Sequence, residues 1–151
     1  MNKPENSLPY YIRGAFRGFE TALARYLATK DIPLSYFYIL RLEWHEEGHS
    51  QKHIADKSFM TESVASQVIK AMEKDGILQR RSDPSDARKN LVGLTPEGEK
   101  LRTSISTEGI GISKAHTPNM SKEDVLTTMR VLKQVREAFE AYNIEYMADK
   151  S

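Results

Sequence analysis

The chain has 151 residues, long enough to bury a sizeable core, and its 39% hydrophobic and 28% charged residues are ordinary for a soluble single domain. It contains no cysteine, so disulfides, thiolate metal sites and cysteine-based peroxide sensing are excluded. The net charge of +1 falls short of the basic footprint that would hold a polyanion by charge alone. The opening MNKPENSLPYYIRG lacks the apolar core of an export signal, and no apolar run approaches the roughly 20 residues of a bilayer span, so a cytoplasmic location is expected.

In chain order, Leu8, Ile12, Phe16, Phe19, Leu23 and Leu27 recur every three or four residues and predict an amphipathic helix over residues 8–29. Further on, His45-Glu46-Glu47-Gly48-His49 matches H-E-x-x-H, the pattern in which a metalloprotease helix offers two imidazoles to zinc and a glutamate to the attacking water. Gly48 and Ser50 put a helix end inside or beside this motif. Ala55 stands where the extended form of the pattern has its third histidine, so a zinc hydrolase is only a remote alternative. His45, His49 and His53 are four residues apart, which raises a regulatory metal site, although surface histidines near a helix junction are the simpler reading.

Ser50 is placed to cap a short helix reaching about Lys57, with Ile54 and Ala55 inward. A second helix is predicted from Thr61 to Lys74, capped by Thr61, with Ala65, Val68, Ile69 and Met72 at i, i+3, i+4 and i+7 as its core side. Its other face carries Ser63, Val64, Ser66, Gln67 and Lys70, mostly small or hydrogen-bonding groups where a solvated face would be crowded with long charged chains. Gly76 fits a left-handed helix end, Ile77, Leu78 and Gln79 begin a strand, and Leu91, Val92, Gly93 and Leu94 return as a second. Between them, turn formers from Ser82 to Ala87 are flanked by Arg80, Arg81, Arg88 and Lys89. Thr95 and Pro96 open a further helix, with Glu97 and Glu99 near its positive end. That helix is expected to fray, bend or break between 104 and 120, where Gly109, Gly111 and Pro118 fall. Ser121 then caps a long helix to about 147, in which Val125, Thr128, Leu132, Val135, Phe139, Tyr142 and Tyr146 form a seam suited to a second helix. The seam of either terminal helix is also compatible with simply completing a monomer core.

Two short helices followed by a basic hairpin resemble a winged helix-turn-helix. More specifically, Asp86 and Arg88 in the hairpin, Leu94 and Thr95 after it and Gly98 beyond resemble the D-x-R…L-T…G signature of the MarR/SlyA regulators. The stretches Trp44 to Ala55 and Met72 to Arg80 also fit that family. The resemblance implies a mainly α fold with a small β-hairpin wing: a single domain over 1–151, a DNA-binding lobe at 34–95, and dimerisation helices at 8–29 and 96–147. It further implies a transcriptional regulator and no enzyme, with no cofactor, that binds double-stranded DNA at a palindromic operator as a homodimer. Repression is the commoner family role; an activator, or a regulator without a ligand, is the alternative.

In such a reader, Ser63, Val64, Ser66, Gln67 and Lys70 are the expected base or nearby phosphate contacts, with Gln67 suited to adenine and Val64 to a thymine methyl. Lys52, Thr61, Arg81 and Lys89 are expected on phosphates, and Arg88, by resemblance, in the minor groove, with Asp86 orienting the wing tip. Arg80 is the basic residue most readily explained by pairing with a carboxylate in the wing. Residues 50–95 hold eight basic and six acidic side chains, a balance of only +2, so affinity should come from two copies docked on one duplex. The family often binds small phenolic or aromatic acids between the dimerisation helices and the DNA-binding lobe. Ile12, Phe16, Arg17, Tyr36, Tyr38 and Arg41 are the expected lining, with the arginines available for a carboxylate.

Overall fold

The structure, a computed structural model, describes residue 5 and residues 7–82, 90–105 and 119–148, with side chains to residue 144 in the last segment. Two units are distinguished, Met1–Ser113 and Lys114–Ser151.

The first unit opens with helix α1, Leu8–Ala28, with a proline in its first turn, where a missing N–H costs nothing. Only Leu23 and Leu27 of its apolar stripe are buried, while Leu8, Phe16 and Phe19 are exposed. Helix α2, Leu34–Leu40, follows from Pro33 and buries Tyr36, Phe37, Ile39 and Leu40. Helix α3, Gln51–Ser58, is capped as the sequence predicts, the Ser50 side chain accepting a hydrogen bond from the His53 N–H at 3.1 Å. It ends on Phe59 in the left-handed region at φ 57, and the Met60 N–H closes the turn on the Ala55 carbonyl at 3.0 Å. Helix α4, Glu62–Lys74, starts on the Thr61 side chain, which accepts from the Val64 N–H.

Strands β1, Leu78–Ser82, and β2, Asn90–Leu94, pair antiparallel with Leu78 opposite Leu94 and Arg80 opposite Val92. Helix α5 covers residues 96–105. Thr95 joins it to the wing, its hydroxyl oxygen accepting from the Gly98 N–H at 3.0 Å and donating to the Gly76 carbonyl at 2.6 Å. At Gly98 a Cβ would overlap the Ile77 carbonyl oxygen, a physical reason for a glycine three residues after that threonine. The core of this unit runs through Leu23, Leu27, Leu40, Ile54, Ile69, Met72, Leu78, Val92 and Ile105. Each fully buried aliphatic chain of this kind contributes about 1.5–3 kcal/mol by area.

In the second unit, helix α6 spans Lys122–Ala148. Its start is a reciprocal cap: the Asp124 N–H donates to the Ser121 hydroxyl at 3.0 Å, and the Ser121 N–H donates back to the Asp124 carboxylate at 3.3 Å. Along the expected seam, Val125 and Val135 are half-buried, whereas Leu132, Phe139 and Tyr142 are exposed, as are Leu126 and Met129 beside them. Tyr146 lies outside the described side chains, and the break expected between 104 and 120 falls largely outside the described residues.

Candidate nucleic-acid interface and ligand cavity

Helix α4 is held from one side only. Ala65, Ile69 and Met72 are fully buried and Val68 packs on the same core, which leaves Ser63, Val64, Gln67 and Lys70 exposed and Ser66 half-exposed on the outer face. The face thus has few long side chains between its backbone and an approaching surface. Glu62 in the first turn and Lys74 in the last complement the helix dipole. Lys52 on α3 and the capping Thr61 are exposed as well.

The wing arginines divide. Arg80 pairs with Glu73 of α4 at 2.8 Å and approaches the Gln51 side chain at 3.5 Å, so its carboxylate partner comes from the helix. Arg81 folds inward over Gly93, where its atoms occupy the space a Cβ would need. Its guanidinium donates to the Glu46 carbonyl and, at 3.0 Å, to the Leu94 carbonyl, tying both wing strands to the turn before α3. Asp86, Arg88 and Lys89 lie outside the described residues.

The H-E-x-x-H motif is not helical. The Gly48 N–H closes a turn on the His45 carbonyl at 3.0 Å, and His49 then forms a bridge with Val92, each N–H donating to the other's carbonyl at 2.8 Å. Gly48 has φ 91, and a Cβ there would stand 2.5 Å from the Val92 carbonyl oxygen, so glycine is required twice over. His45 lies edge-on to His49 at 5.1 Å between centroids, and His53 stacks on His49 at 4.5 Å. Stacked imidazoles send their lone pairs outward in parallel planes instead of toward one point. Among the described residues no three histidine or carboxylate groups are arranged around a common metal position. His49 is buried, its Nε2 sits 2.6 Å from the Glu43 carbonyl, and burial lowers its pKa below the usual imidazole value despite that contact.

A cavity of about 430 Å³ opens between α1, α2 and the α3–α4 turn, lined by Phe16, Glu20, Leu34, Ser35, Tyr38, Ser58, Phe59 and Met60. Of the residues expected to line a ligand crevice, the structure brings Phe16 and Tyr38 together here. The Tyr38 hydroxyl donates to the Glu20 carboxylate at 3.0 Å, and burial and that bond push its pKa up to about 12. Tyr36 is buried elsewhere and donates to Asp75 at 2.8 Å, while the Arg41 guanidinium lies 5.9 Å from the centre of the Phe37 ring. Ile12 and Arg17 on α1 are not on the cavity wall either. Sequence reasoning missed Glu20, Leu34, Ser35 and the turn residues Ser58 to Met60. The signal for Glu20 was its place one helical turn after Phe16, on the same face.

A helix pair with a short left-handed turn, followed by a two-stranded hairpin clipped to the preceding segment, defines a winged helix-turn-helix protein. The model of the MarR family matches residues 32–89 of the chain. Among curated relatives, the transcriptional regulator HosA of Escherichia coli O111:H- is 23% identical over 108 residues, 72% of this chain and 80% of that protein. Solved structures share the fold, and two of them illustrate it. CouR from Rhodococcus jostii RHA1, bound to p-coumaroyl-CoA, has a TM-score of 0.81 at 18% identity, covering 89% of this chain and 95% of the other. The MepR–DNA complex of S. aureus has a TM-score of 0.77 at 19% identity, covering 87% and 98%. Among the described residues no helix is long and apolar enough to cross a membrane.

Proposed function

We propose that this regulator is a homodimeric repressor that lays α4 of each copy in the major groove of a palindromic operator and leaves the DNA when a small aromatic ligand enters the cavity. The outward face of α4 carries this reading: it is exposed, capped, backed by a fully buried side and rich in short hydrogen-bonding groups. Ser63, Val64, Ser66, Gln67 and Lys70 are assigned to base edges or adjacent phosphates, and Lys52 and Thr61 to phosphates. By family resemblance Arg88 enters the minor groove and Lys89 follows the backbone. Arg81 is reassigned from phosphate contact to holding the wing, because its guanidinium already donates to two carbonyls.

Dimerisation is supported by the exposed Leu8, Phe16 and Phe19 of α1 and by Leu126, Met129, Leu132 and Phe139 of α6, apolar surfaces that a second copy would cover. Two α4 helices about 34 Å apart match half-sites one DNA turn apart. Ligand control is supported by the cavity and by the ligand-bound state of CouR.

The test is a footprint on the intergenic DNA upstream of the protein's own gene, with gel shifts at fixed salt. Two symmetric protected half-sites one turn apart are expected, and Arg88→Ala should weaken the complex strongly while the protein stays folded. Absence of a protected palindrome there and in a randomised-duplex selection would overturn the reading.

A further inference from the structure

We propose that the cavity selects an arylalkyl amine or another ligand with a cationic hydrogen-bond donor, recognised by Glu20, and that the α3–α4 turn transmits its arrival to α4. This rests on the reading of the cavity as the effector site, and it names the ligand chemistry.

The wall is mostly apolar, with Phe16, Leu34, Tyr38, Phe59 and Met60 able to enclose one aromatic ring. Its polar groups are unequal. The Ser58 hydroxyl already donates to the Ile54 carbonyl at 2.6 Å and so has only acceptor capacity left. Tyr38 spends its proton on Glu20, and its high pKa keeps it a neutral phenol. Among the described residues, Glu20 is the one charged group on this wall, and Tyr38 occupies one of the roughly four lone-pair sites a carboxylate offers. An incoming ammonium finds an opposite charge and open acceptors there, in a partly desolvated site that strengthens the pair. An aromatic carboxylate meets a like charge, which the Ser35 hydroxyl on the same wall can hydrogen-bond but not neutralise, and neither Arg17 nor Arg41 lines the wall to offset it.

The output follows from where the wall ends. Ser58 closes α3, Phe59 and Met60 form the turn, and the next residue is Thr61, the cap of α4. Phe59 is 75% exposed and held at φ 57, a left-handed conformation that costs a non-glycine residue energy. A ring seated against Phe59 pulls on the two residues that set the direction of the recognition helix.

The experiment is calorimetric titration of the full chain with phenethylamine, phenylethanol and phenylacetate, repeated with Glu20→Gln, which keeps an acceptor for the Tyr38 hydroxyl. The amine should bind about tenfold or more tighter than the alcohol, with the acetate weakest, and Glu20→Gln should remove most of that preference without lowering Tm. In parallel gel shifts, Phe59→Ala, which removes part of the wall and should weaken amine binding, should lose the amine's effect on DNA even at amine concentrations that saturate the variant by calorimetry. Equal affinity for amine and acetate, or a preference for the acetate, overturns the ligand class and leaves the cavity standing as an effector site. If none of the three binds at millimolar concentration, the cavity reading falls along with the inference.

Discussion

Helices α4 and α6 are both amphipathic, yet they differ in how much of their apolar surface this chain buries. Helix α4 buries Ala65, Ile69 and Met72 completely and exposes short polar groups, so its apolar demand is met at home. Helix α6 leaves Phe139 57% and Leu126 57% exposed, with Met129 beside them. A helix that exposes polar groups can meet water or a nucleic acid without penalty, whereas one that exposes aromatic and aliphatic groups is stabilised by another apolar surface. Under the proposed function, the contrast separates α4, assigned to reading DNA, from α6, assigned to recruiting a second copy.

The largest effect should come from breaking the recruiting side. Phe139→Glu places a charge in the exposed seam, and sedimentation should show monomers. Operator affinity should fall on the order of a hundredfold, because one modest interface must then do the work of two. Unchanged dimers would move the contact to another surface. Next in size is Gly48→Ala, where the new Cβ would meet the Val92 carbonyl oxygen at 2.5 Å and the residue would be held at φ 91. A loss of about 2–3 kcal/mol in denaturant unfolding is expected, the range for strain at a special backbone conformation.

These two positions also mark what the sequence could and could not disclose. Caps and helix ends are local, so Ser50, Thr61, Thr95, Gly76 and Ser121 could all be assigned from neighbours within four residues. The wing strands were legible for the same reason. The cavity was harder, because its wall joins α1, α2 and the α3–α4 turn, and helix α2 has only seven residues, too few for a period to say which way Tyr36 and Tyr38 point. Tyr36 turned inward to Asp75 and Tyr38 toward Glu20. Arg81 carries the same charge as Arg80, and only its approach over Gly93 and its bonds to the Glu46 and Leu94 carbonyls assign it to holding the wing. The spacing of the H-E-x-x-H motif is sequence-local, but its meaning is not: the bridge from His49 to Val92 is a contact across more than forty positions of chain.

On the reading side the expected effects are smaller. Gln67→Ala removes an exposed side chain with no role in the core, so operator affinity should drop by about tenfold, the size of one lost base contact, at constant Tm. A parallel loss on an unrelated duplex would mark Gln67 as a nonspecific contact. Thr61→Ala deletes the acceptor for the Val64 N–H and should lower stability by about 1 kcal/mol in urea unfolding, with a matching loss of operator binding if the first turn frays.

The smallest effect tests the joint between the two sides of the lobe, where His49 clips the wing to the turn before α3. Its pKa lies below the ordinary 6.5, first because burial disfavours the charged ring and further because His53 and His45 face it, while the Glu43 carbonyl and carboxylate oppose the shift. The folded protein therefore holds His49 neutral, whereas the unfolded chain takes up a proton near the ordinary value. Its contribution to stability is complete above about pH 6.5, declines as pH falls toward the lower folded value, and then levels off because both states are protonated. Between about pH 7.5 and about pH 5.5 the native protein should lose more Tm than a His49→Gln variant, which has no titrating group at that position. His45 and His53 remain in both proteins, so the difference between the two melting series isolates the buried ring. Parallel series would mean that the bridge to Val92 withstands a charged imidazole and that the wing is held mainly by Arg81.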